Sequence, residues 1–365
     1  MTRSILLFLA LTLTACAPRA QLVMAPDTVA RGESQTVFVS SSRKYVSNLL
    51  FSDERASGLN YMRYDIAVPP NRALGEISWS DGKIDPDTQF LATRADRLGD
   101  ASGFRTALAA EIRSRPRNEQ DVVIYVHGFN NNFADGVLRI TQLAHDFQMP
   151  GVALHYSWPS AGHPLAYAYD RDSVLFARDG LETLIRQVQA SGAKRISLVA
   201  HSVGSQMVME ALRSMAIAQP GTVDEQIESV ILISPDVDID VFRSQAARIG
   251  DLPKPFGIFV SKRDKVLLLS ARLTGQKNRL GNVSNIQDVS DLDVTFIDVT
   301  EFSTGAGHFV AGSSAAVISI FSQPGALGAA FAGNSSGRLG LLPATILTVQ
   351  NATEIILSPV TALIQ

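Results

Sequence analysis

The stretch RISLVAHSVGSQMVMEAL at residues 195–212 constrains the fold of this chain more than any other. It begins with a short apolar run of the kind found in a buried strand, and it ends in a segment rich in good helix formers. The residues AHSVG at 200–204 lie between the two, so the chain must turn sharply there. Such a turn strains its central residue and needs small neighbours two positions away, which Ala200 and Gly204 provide.

Ser202 is the central residue of this turn. The strained conformation would lift its hydroxyl clear of the sheet, where a base can take the proton. The pattern therefore predicts that Ser202 is a nucleophile on a strand–turn–helix elbow. The pentapeptide alone also fits a chance serine between small residues in an ordinary strand–helix connection.

Strand-like and helix-like segments alternate along the middle of the chain. Apolar runs at residues 122–126, 152–158 and 196–200 are separated by helical patterns at 137–147 and 172–189. Such alternation is typical of βαβ units, and it predicts an α/β fold with a mostly parallel central sheet and helices on both faces. The length of 365 residues fits one large domain of this kind with additions.

The region before this alternation has β-like signals between turn residues. We expect four short leading strands at residues 36–39, 61–68, 75–79 and 89–93. A helical pattern follows at residues 102–114, with Ser102 as its cap. Both belong with the alternating region, so residues 35–323 are predicted to form a single domain.

Polar residues follow the predicted strands at the edge where a parallel sheet collects its chemistry. His127, Trp158 and Ser202 all stand at such strand ends. The first strand continues into His127, Gly128 and an Asn-rich loop. We interpret His127 as a residue that orients this loop. A plain, self-hydrogen-bonded turn is the alternative for the loop as a whole.

Several ordered motifs together resemble the α/β-hydrolase superfamily. They are VVIYVHGFNNNF, HYSWPSAG, the region at residues 167–172 and SLVAHSVGSQ, and more narrowly they resemble a bacterial branch of hydrolases of unknown function. The resemblance covers roughly residues 35–313, with Ala200 where the commonest pattern has glycine. It implies the α/β-hydrolase fold, Ser202 as nucleophile, and an oxyanion hole formed by the backbone N–H groups of Phe129 and Val203.

The superfamily's order along the chain is serine, then acid, then histidine. The usual acid follows the second strand after the nucleophile, which selects Asp264, and Asp236 after the first of these strands is the alternative. His308, in a glycine-flanked loop after the last predicted strand, is then the base. Less specific interpretations are a helix start for Asp236, a surface ion pair for Asp264 and an inert loop residue for His308.

The first residues have the features of an export signal. Arg3 precedes an apolar segment too short to span a bilayer comfortably, and residues 1–15 are predicted to be a signal peptide. LTAC at residues 13–16 resembles a bacterial lipobox, so we expect Cys16, the sole cysteine, to be lipidated. An ordinary secretory signal is the alternative. Ala17, which is not aspartate, favours an outer-membrane anchor facing the periplasm, and residues 16–34 are expected to be a tether.

The end of the chain exceeds the minimal fold of the superfamily. Residues 324–365 are predicted to be an extension, Gly/Ala-rich at first and then apolar but interrupted by Pro343 and Pro359. No uninterrupted stretch there is long enough to span a bilayer, so we expect it to dock on the domain or to lie on the membrane surface.

The sequence as a whole predicts a lipid-anchored serine hydrolase that cleaves carboxylic esters through a covalent acyl-enzyme. An acyltransferase or amidase acting on envelope components through the same triad, and a non-catalytic envelope scaffold, remain as alternatives. We expect a small-molecule or lipid acyl substrate, no cofactor and no metal, because no ligand cluster with metal spacing is visible. The formal net charge of −3 gives no reason to expect nucleic acid as a partner.

Overall fold

Eleven strands form one sheet in the part of the chain that the computed structural model describes, residues 19–26, 32–80, 82–275, 278–283, 285–323, 326–331 and 344–358. The strands in chain order are β1 (Ser34–Ser47), β2 (Leu50–Ala67), β3 (Leu91–Arg97), β4 (Val122–Val126), β5 (Val152–Ser157), β6 (Ile196–His201), β7 (Ser229–Ile233), β8 (Phe256–Val260), β9 (Thr295–Asp298), β10 (Ala344–Val349) and β11 (Ala352–Leu357).

The helices of the described residues lie mainly between these strands. In chain order they are α1 (Ala101–Ser114), α2 (Phe133–Asp146), α3 (Tyr167–Ala190), α4 (Val203–Ala218), α5 (Thr222–Gln226), α6 (Ile239–Ile249), α7 (Lys265–Leu273), α8 (Val310–Ser313), α9 (Ala315–Phe321) and α10 (Ala326–Phe331). None of the helices in this part of the chain combines the length and the apolar character needed to cross a membrane.

The sheet has the strand order β10-β11-β9-β8-β7-β6-β4-β5-β1-β2-β3. The central strands β11, β9, β8, β7, β6, β4, β5 and β1 run parallel to their neighbours in this order. At one edge β2 pairs antiparallel with β1 and β3 with β2, and at the other edge β10 pairs antiparallel with β11. Helices cover both faces: α1, α3, α4 and α6 pack on one face, and α2 and α9 pack on the other. The predicted fold class, an α/β hydrolase with a mostly parallel sheet, is therefore confirmed.

The register of the buried central strands determines which residues meet at one edge of the sheet. Every residue of β4 is buried, because helices cover both of its faces, which explains its uninterrupted apolar sequence. Val126 at the end of β4 lies opposite Tyr156 of β5 and Ala200 of β6. The residues that follow these three positions therefore emerge side by side at one edge of the sheet.

The leading region differs in detail from its prediction. The first two strands are much longer than expected, and the run at residues 75–79 is irregular rather than a strand. Gly75 has a φ of +85°, and its N–H donates to Asp146 Oδ2 at 2.8 Å, so side-chain contacts replace a strand ladder there. Helix α1 is capped by Asp100 and not by Ser102, because the Asp100 carboxylate accepts the first free N–H groups of the helix.

The N-terminal segment predicted to be a tether is docked where it is described. Ala20, Leu22 and Ala25 are buried, and the N–H of Ala25 donates to the carbonyl of Ala92 at 2.8 Å. These short apolar side chains fill the side of the core beneath α2, so residues 19–26 belong to the domain. The predicted signal peptide and Cys16 lie outside the described residues.

The C-terminal segment predicted to be an extension supplies two strands of the same sheet. β11 runs parallel to β9, and β10 pairs with β11 in an antiparallel hairpin. Ile355 and Leu357 are buried in a cluster with Ile297 of β9. This burial joins the segment to the domain, so a boundary at residue 323 divides a continuous sheet.

Candidate active site

Ser202 occupies a sharp turn between β6 and α4. Its φ of +54° lies in the left-handed region that side-chain-bearing residues rarely adopt. Backbone hydrogen bonds hold this conformation from both sides: Ser202 N–H donates to Ile233 O at 3.0 Å, and Ser202 O accepts from Asp236 N–H at 3.1 Å. Strain that neighbouring structure fixes in this way is typical of functional sites.

The small residues on either side of Ser202 meet different surroundings. A Cβ added to Gly204 would lie 2.5 Å from the carbonyl oxygen of His127 and 2.8 Å from that of Val126, so the end of β4 leaves no room for one. Ala200 is fully buried in the core around α4. The methyl group that departs from the commonest superfamily pattern is therefore accommodated by packing.

The carboxylate of Asp264 and the imidazole of His308 form a hydrogen-bonded pair next to this turn. Asp264 lies in the turn between β8 and α7, and its Oδ1 accepts the N–H groups of Val266 and Leu267, each at 3.0 Å, which caps α7. Its Oδ2 lies 2.8 Å from His308 Nδ1. A carboxylate in this position keeps a proton on Nδ1 and leaves Nε2 to accept one.

His201 connects the ion pair to the nucleophile turn. Its ring lies 4.7 Å from the ring of His308, and its Nε2 lies 3.3 Å from the His308 carbonyl oxygen. Within the described residues, the Ser202 hydroxyl has no hydrogen bond to the His308 ring. Catalytic hydrogen bonds are often long in a free enzyme and tighten when substrate binds.

Asp236, the alternative acid, is held in a different network. Its carboxylate lies 3.0 Å from Arg279 Nε, and it accepts hydrogen bonds from Ser270 Oγ at 2.8 Å and from Tyr167 OH at 3.0 Å. Asp236 and Arg279 are both buried. Of the two candidate carboxylates, Asp264 is therefore the one that contacts the imidazole.

The loop after β4 runs directly against the serine. A Cβ added to Gly128 would lie 2.9 Å from Ser202 Cβ and 2.8 Å from His201 Nδ1, so the close approach requires glycine. Phe129 comes next in this loop, and Val203 follows the serine. In the described structure neither the N–H of Phe129 nor that of Val203 donates to another protein group, so both are free to bind an oxygen.

His127 holds the loop in place instead of facing the serine. It is fully buried, with Nδ1 2.9 Å from Gly128 O and Nε2 3.1 Å from Trp158 O. Its ring stacks on Trp158 with centroids 4.8 Å apart. Burial, helped by the positive charge of Arg43, holds the pKa of His127 well below its ordinary value.

Arg43 and Asp170 support the same loop. The sequence pattern assigned no role to either, although Asp170 lies in the 167–172 region of the superfamily resemblance. Arg43 is buried in β1 and donates to Asn131 O at 2.8 Å and to Ser160 O at 2.9 Å. Asp170 Oδ1 accepts from Ala161 N–H at 2.7 Å, and Asp170 Oδ2 accepts from Ser160 Oγ at 2.5 Å. Burial lowers the pKa of Arg43 to about 10, against the opposing attraction of Asp170. The one available signal was an arginine next to three serines in a β-like segment.

No group of three or more His, Cys, Asp and Glu side chains in the described part of the chain is arranged to hold a metal ion. The polar groups around Ser202 are instead a hydroxyl, an imidazole–carboxylate pair and free backbone N–H groups. Such groups perform acyl transfer through a covalent intermediate.

The family assignment agrees with this arrangement. Residues 100–322 match the family model described as "Alpha/beta hydrolase of unknown function (DUF900)". The chain belongs to this family. The matched region contains Ser202, Asp264 and His308, whereas the N-terminal segment and β10–β11 lie outside it. No protein of curated function matches the sequence significantly.

Solved structures resemble this DUF900 protein only distantly. A fungal esterase structure from Rhizomucor miehei is 11% identical with a TM-score of 0.32, covering 73% of this chain and 75% of its own. An α/β-hydrolase enzyme from the metagenome of Lake Arreo is 12% identical with a TM-score of 0.31, covering 65% and 68%. An esterase/lipase from an uncultured bacterium is 17% identical with a TM-score of 0.28, covering 56% and 83%. Similarity at this level carries no information about the substrate of this chain.

Proposed function

We propose that this α/β hydrolase is a serine hydrolase that cleaves carboxylic esters through a covalent acyl-enzyme. The observation that carries the proposal is the 2.8 Å contact between Asp264 Oδ2 and His308 Nδ1, beside a serine held at a φ of +54°. The three residues occur in the order that the superfamily uses for nucleophile, acid and base. Asp264 is buried and caps a helix, so its carboxylate is fixed before substrate arrives.

In the first half of the reaction, His308 Nε2 takes the proton of the Ser202 hydroxyl as Ser202 Oγ attacks the ester carbonyl carbon. A new C–O bond forms, and the carbonyl oxygen becomes an oxyanion that accepts hydrogen bonds from the N–H groups of Phe129 and Val203. Asp264 stabilises the positive imidazolium without taking its proton. One such backbone donor typically contributes about a hundredfold to a thousandfold in turnover.

In the second half, the imidazolium gives its proton to the leaving alcohol as the ester C–O bond breaks, which leaves the acyl group on Ser202. His308 then takes a proton from water as the water oxygen attacks this acyl carbon. The carboxylic acid leaves, and the proton returns to Ser202 Oγ. Each proton removed is replaced, so the enzyme ends in its starting state.

The same proposal includes anchoring through Cys16 in the bacterial outer membrane, with the catalytic domain in the periplasm. Its support is the LTAC motif at residues 13–16 and Ala17 in the position after it. Two or more acyl chains on one cysteine give stable membrane attachment.

A fluorophosphonate probe tests the nucleophile. We expect the wild-type protein to be labelled at Ser202 and to hydrolyse a short-chain nitrophenyl ester, and the Ser202→Ala variant to do neither. Ser205→Ala is the matched control, because Ser205 is also buried in the first turn of α4 and its variant keeps the elbow serine. Ester hydrolysis by Ser202→Ala at the wild-type rate would end the proposal.

A further inference from the structure

Four leucines are exposed on two neighbouring segments near the catalytic residues. Leu165 is 88% exposed in the loop before α3, and Leu268, Leu269 and Leu273 are 37%, 56% and 67% exposed on α7. Single exposed leucines are ordinary on a protein surface, but a group of them marks a binding surface.

A chain of side-chain contacts connects the two leucine-bearing segments to the loop that contains Phe129. The hydroxyl of Ser270, which lies between Leu269 and Leu273 on α7, is 2.9 Å from Tyr167 OH. The Tyr167 ring in turn meets Phe129 edge to face at 5.4 Å. Ser270 is buried, so these contacts lie beneath α7 and place α7 and the loop before α3 next to the proposed oxyanion loop.

Positive charge accompanies the apolar side chains on the same helix. Lys265 and Arg272 of α7 are both exposed, and Asp264 at its N-terminal cap is buried. Exposed leucines next to lysine and arginine are typical of a helix that lies in the interface of a membrane with anionic lipids. A soluble-protein surface offers no comparable reason for three exposed leucines within six residues of α7.

The N-terminal segment contacts the loop that contains Phe129. Arg19 donates through Nη1 to Asn130 O at 3.0 Å, and its Nη2 contacts the Asn130 side chain and the carbonyl oxygen of Gly162. Asn132 Nδ2 donates to Ala20 O at 2.9 Å. The start of the described chain is therefore fixed to the loop that contains Phe129.

The length of chain before Arg19 limits how far the site can be from an anchored cysteine. Cys16 precedes Arg19 by three residues, and a fully extended chain spans at most about 3.6 Å per residue, or about 11 Å in total. A diacylated Cys16 would hold the bilayer surface within about this distance of the Arg19 backbone, whose side chain contacts the oxyanion loop. A flexible tether of the predicted length would impose no such restriction.

We infer that Leu165, Leu268, Leu269 and Leu273, with Lys265 and Arg272, form a membrane-docking rim, and that the substrates are acyl esters of lipids in the bilayer that carries Cys16. The inference rests on the proposed serine hydrolase and adds its substrate class. A docked rim opens the cleft towards the lipid, so an acyl ester can reach Ser202 without passing through water.

The test uses full-length protein reconstituted into vesicles of phosphatidylethanolamine and phosphatidylglycerol. Two rates are measured in the same sample: release of fatty acid from the vesicle lipids and hydrolysis of a water-soluble nitrophenyl ester. We expect Leu269→Ser/Leu273→Ser to lower fatty-acid release about tenfold and to change soluble-ester hydrolysis less than twofold. Ile217→Ser is the matched control, since Ile217 is 44% exposed at the far end of α4 and should leave both rates unchanged.

The two rates distinguish failure of the inference from failure of the proposed function. If wild-type protein hydrolyses neither substrate, the serine hydrolase itself is wrong. If it hydrolyses the soluble ester and releases no fatty acid, or if the double variant matches wild type on both substrates, the docking rim is wrong and the hydrolase stands. Leu165→Ser, in a loop instead of a helix, repeats the test should the double variant fail to fold.

Discussion

Replacing Asp264 by asparagine separates the orienting role of this carboxylate from its structural role. The amide oxygen can still accept the N–H groups of Val266 and Leu267, so the cap of α7 is retained. The amide NH₂ group then takes the place of Oδ2, 2.8 Å from His308 Nδ1. Because two donors cannot share a hydrogen bond, the imidazole must move its proton to Nε2 and can no longer deprotonate Ser202.

The size of the effect follows from this change of tautomer. The same substitution in a serine-protease triad lowers turnover by about four orders of magnitude with its geometry intact. We expect Asp264→Asn to lower turnover by roughly two to four orders of magnitude, which is about 3–5.5 kcal/mol of activation free energy. The melting temperature should fall by at most about 2 °C, since what α7 loses is mainly a charge at its N-terminus.

Asp236→Asn should lower the stability of the protein and have little effect on turnover, the reverse of Asp264→Asn. It removes the negative charge that Arg279 meets in a buried ion pair, and breaking such a pair lowers stability by about 3–5 kcal/mol. A chain of this size has an unfolding entropy of about 0.7 kcal/mol/K, so the melting temperature should fall by about 4–7 °C. Turnover should fall at most about tenfold at temperatures where the variant is folded.

The test measures turnover on a short-chain nitrophenyl ester and the melting temperature for both Asp264→Asn and Asp236→Asn. An inactive Asp236→Asn alongside an active Asp264→Asn would overturn the assignment of the acid. The pairing of Ser202 with His308 would survive that result, since it does not depend on which carboxylate orients the ring.

Two further expectations concern the anchor and the dependence of stability on pH. Native protein should partition into detergent with lipid on Cys16. Cys16→Ser should give uncleaved precursor or soluble protein. Unmodified wild-type protein in the soluble periplasmic fraction would contradict the anchor. Burial lowers the pKa of His155 to about 3, so below its ordinary pKa of about 6.5 the unfolded state binds a proton that the folded state excludes. Stability should therefore be constant above about pH 6.5 and fall by about 2 kcal/mol at pH 5 from His155 alone, with losses from the buried His127 and His201 adding to it. Melting curves from pH 7.5 to 5 measure this loss of stability. His155→Gln should reduce the loss, whereas His163→Gln, at an exposed position, should not. A wild-type melting temperature that does not change with pH would refute the reasoning.

The middle of the chain was predictable because its signals are local. β4 and β8 are short and apolar, β6 is apolar in its centre, and parallel strands bring their carboxyl ends to one edge. The positions of Ser202 and Asp264 follow from that rule, because Ser202 directly follows β6 and Asp264 lies in the turn after β8. The structure adds the contact between Asp264 and His308, which no periodicity specifies.

Long-range contacts account for what the sequence did not predict. Arg43 looks like a polar loop residue until β1 is seen to continue past it, and its partner Asn131 lies 88 residues away. Arg19 binds Asn130 at a separation of 111 residues, a contact that no local pattern indicates, so residues 19–26 were interpreted as part of a proline-containing tether. β10 and β11 carry an apolar pattern that fits either a membrane surface or a sheet, and pairing with β9 decides between them.

The position of β11 has a consequence for the order in which the newly made chain can fold. Chains are synthesised with the N-terminus first, so β1 to β9 are available before residues 344–357. Until β11 arrives, β9 is an edge strand whose free N–H and C=O groups can pair with another molecule. Ser202, Asp264 and His308 are all synthesised by then, which means that the last two strands protect an otherwise complete candidate site from misassembly.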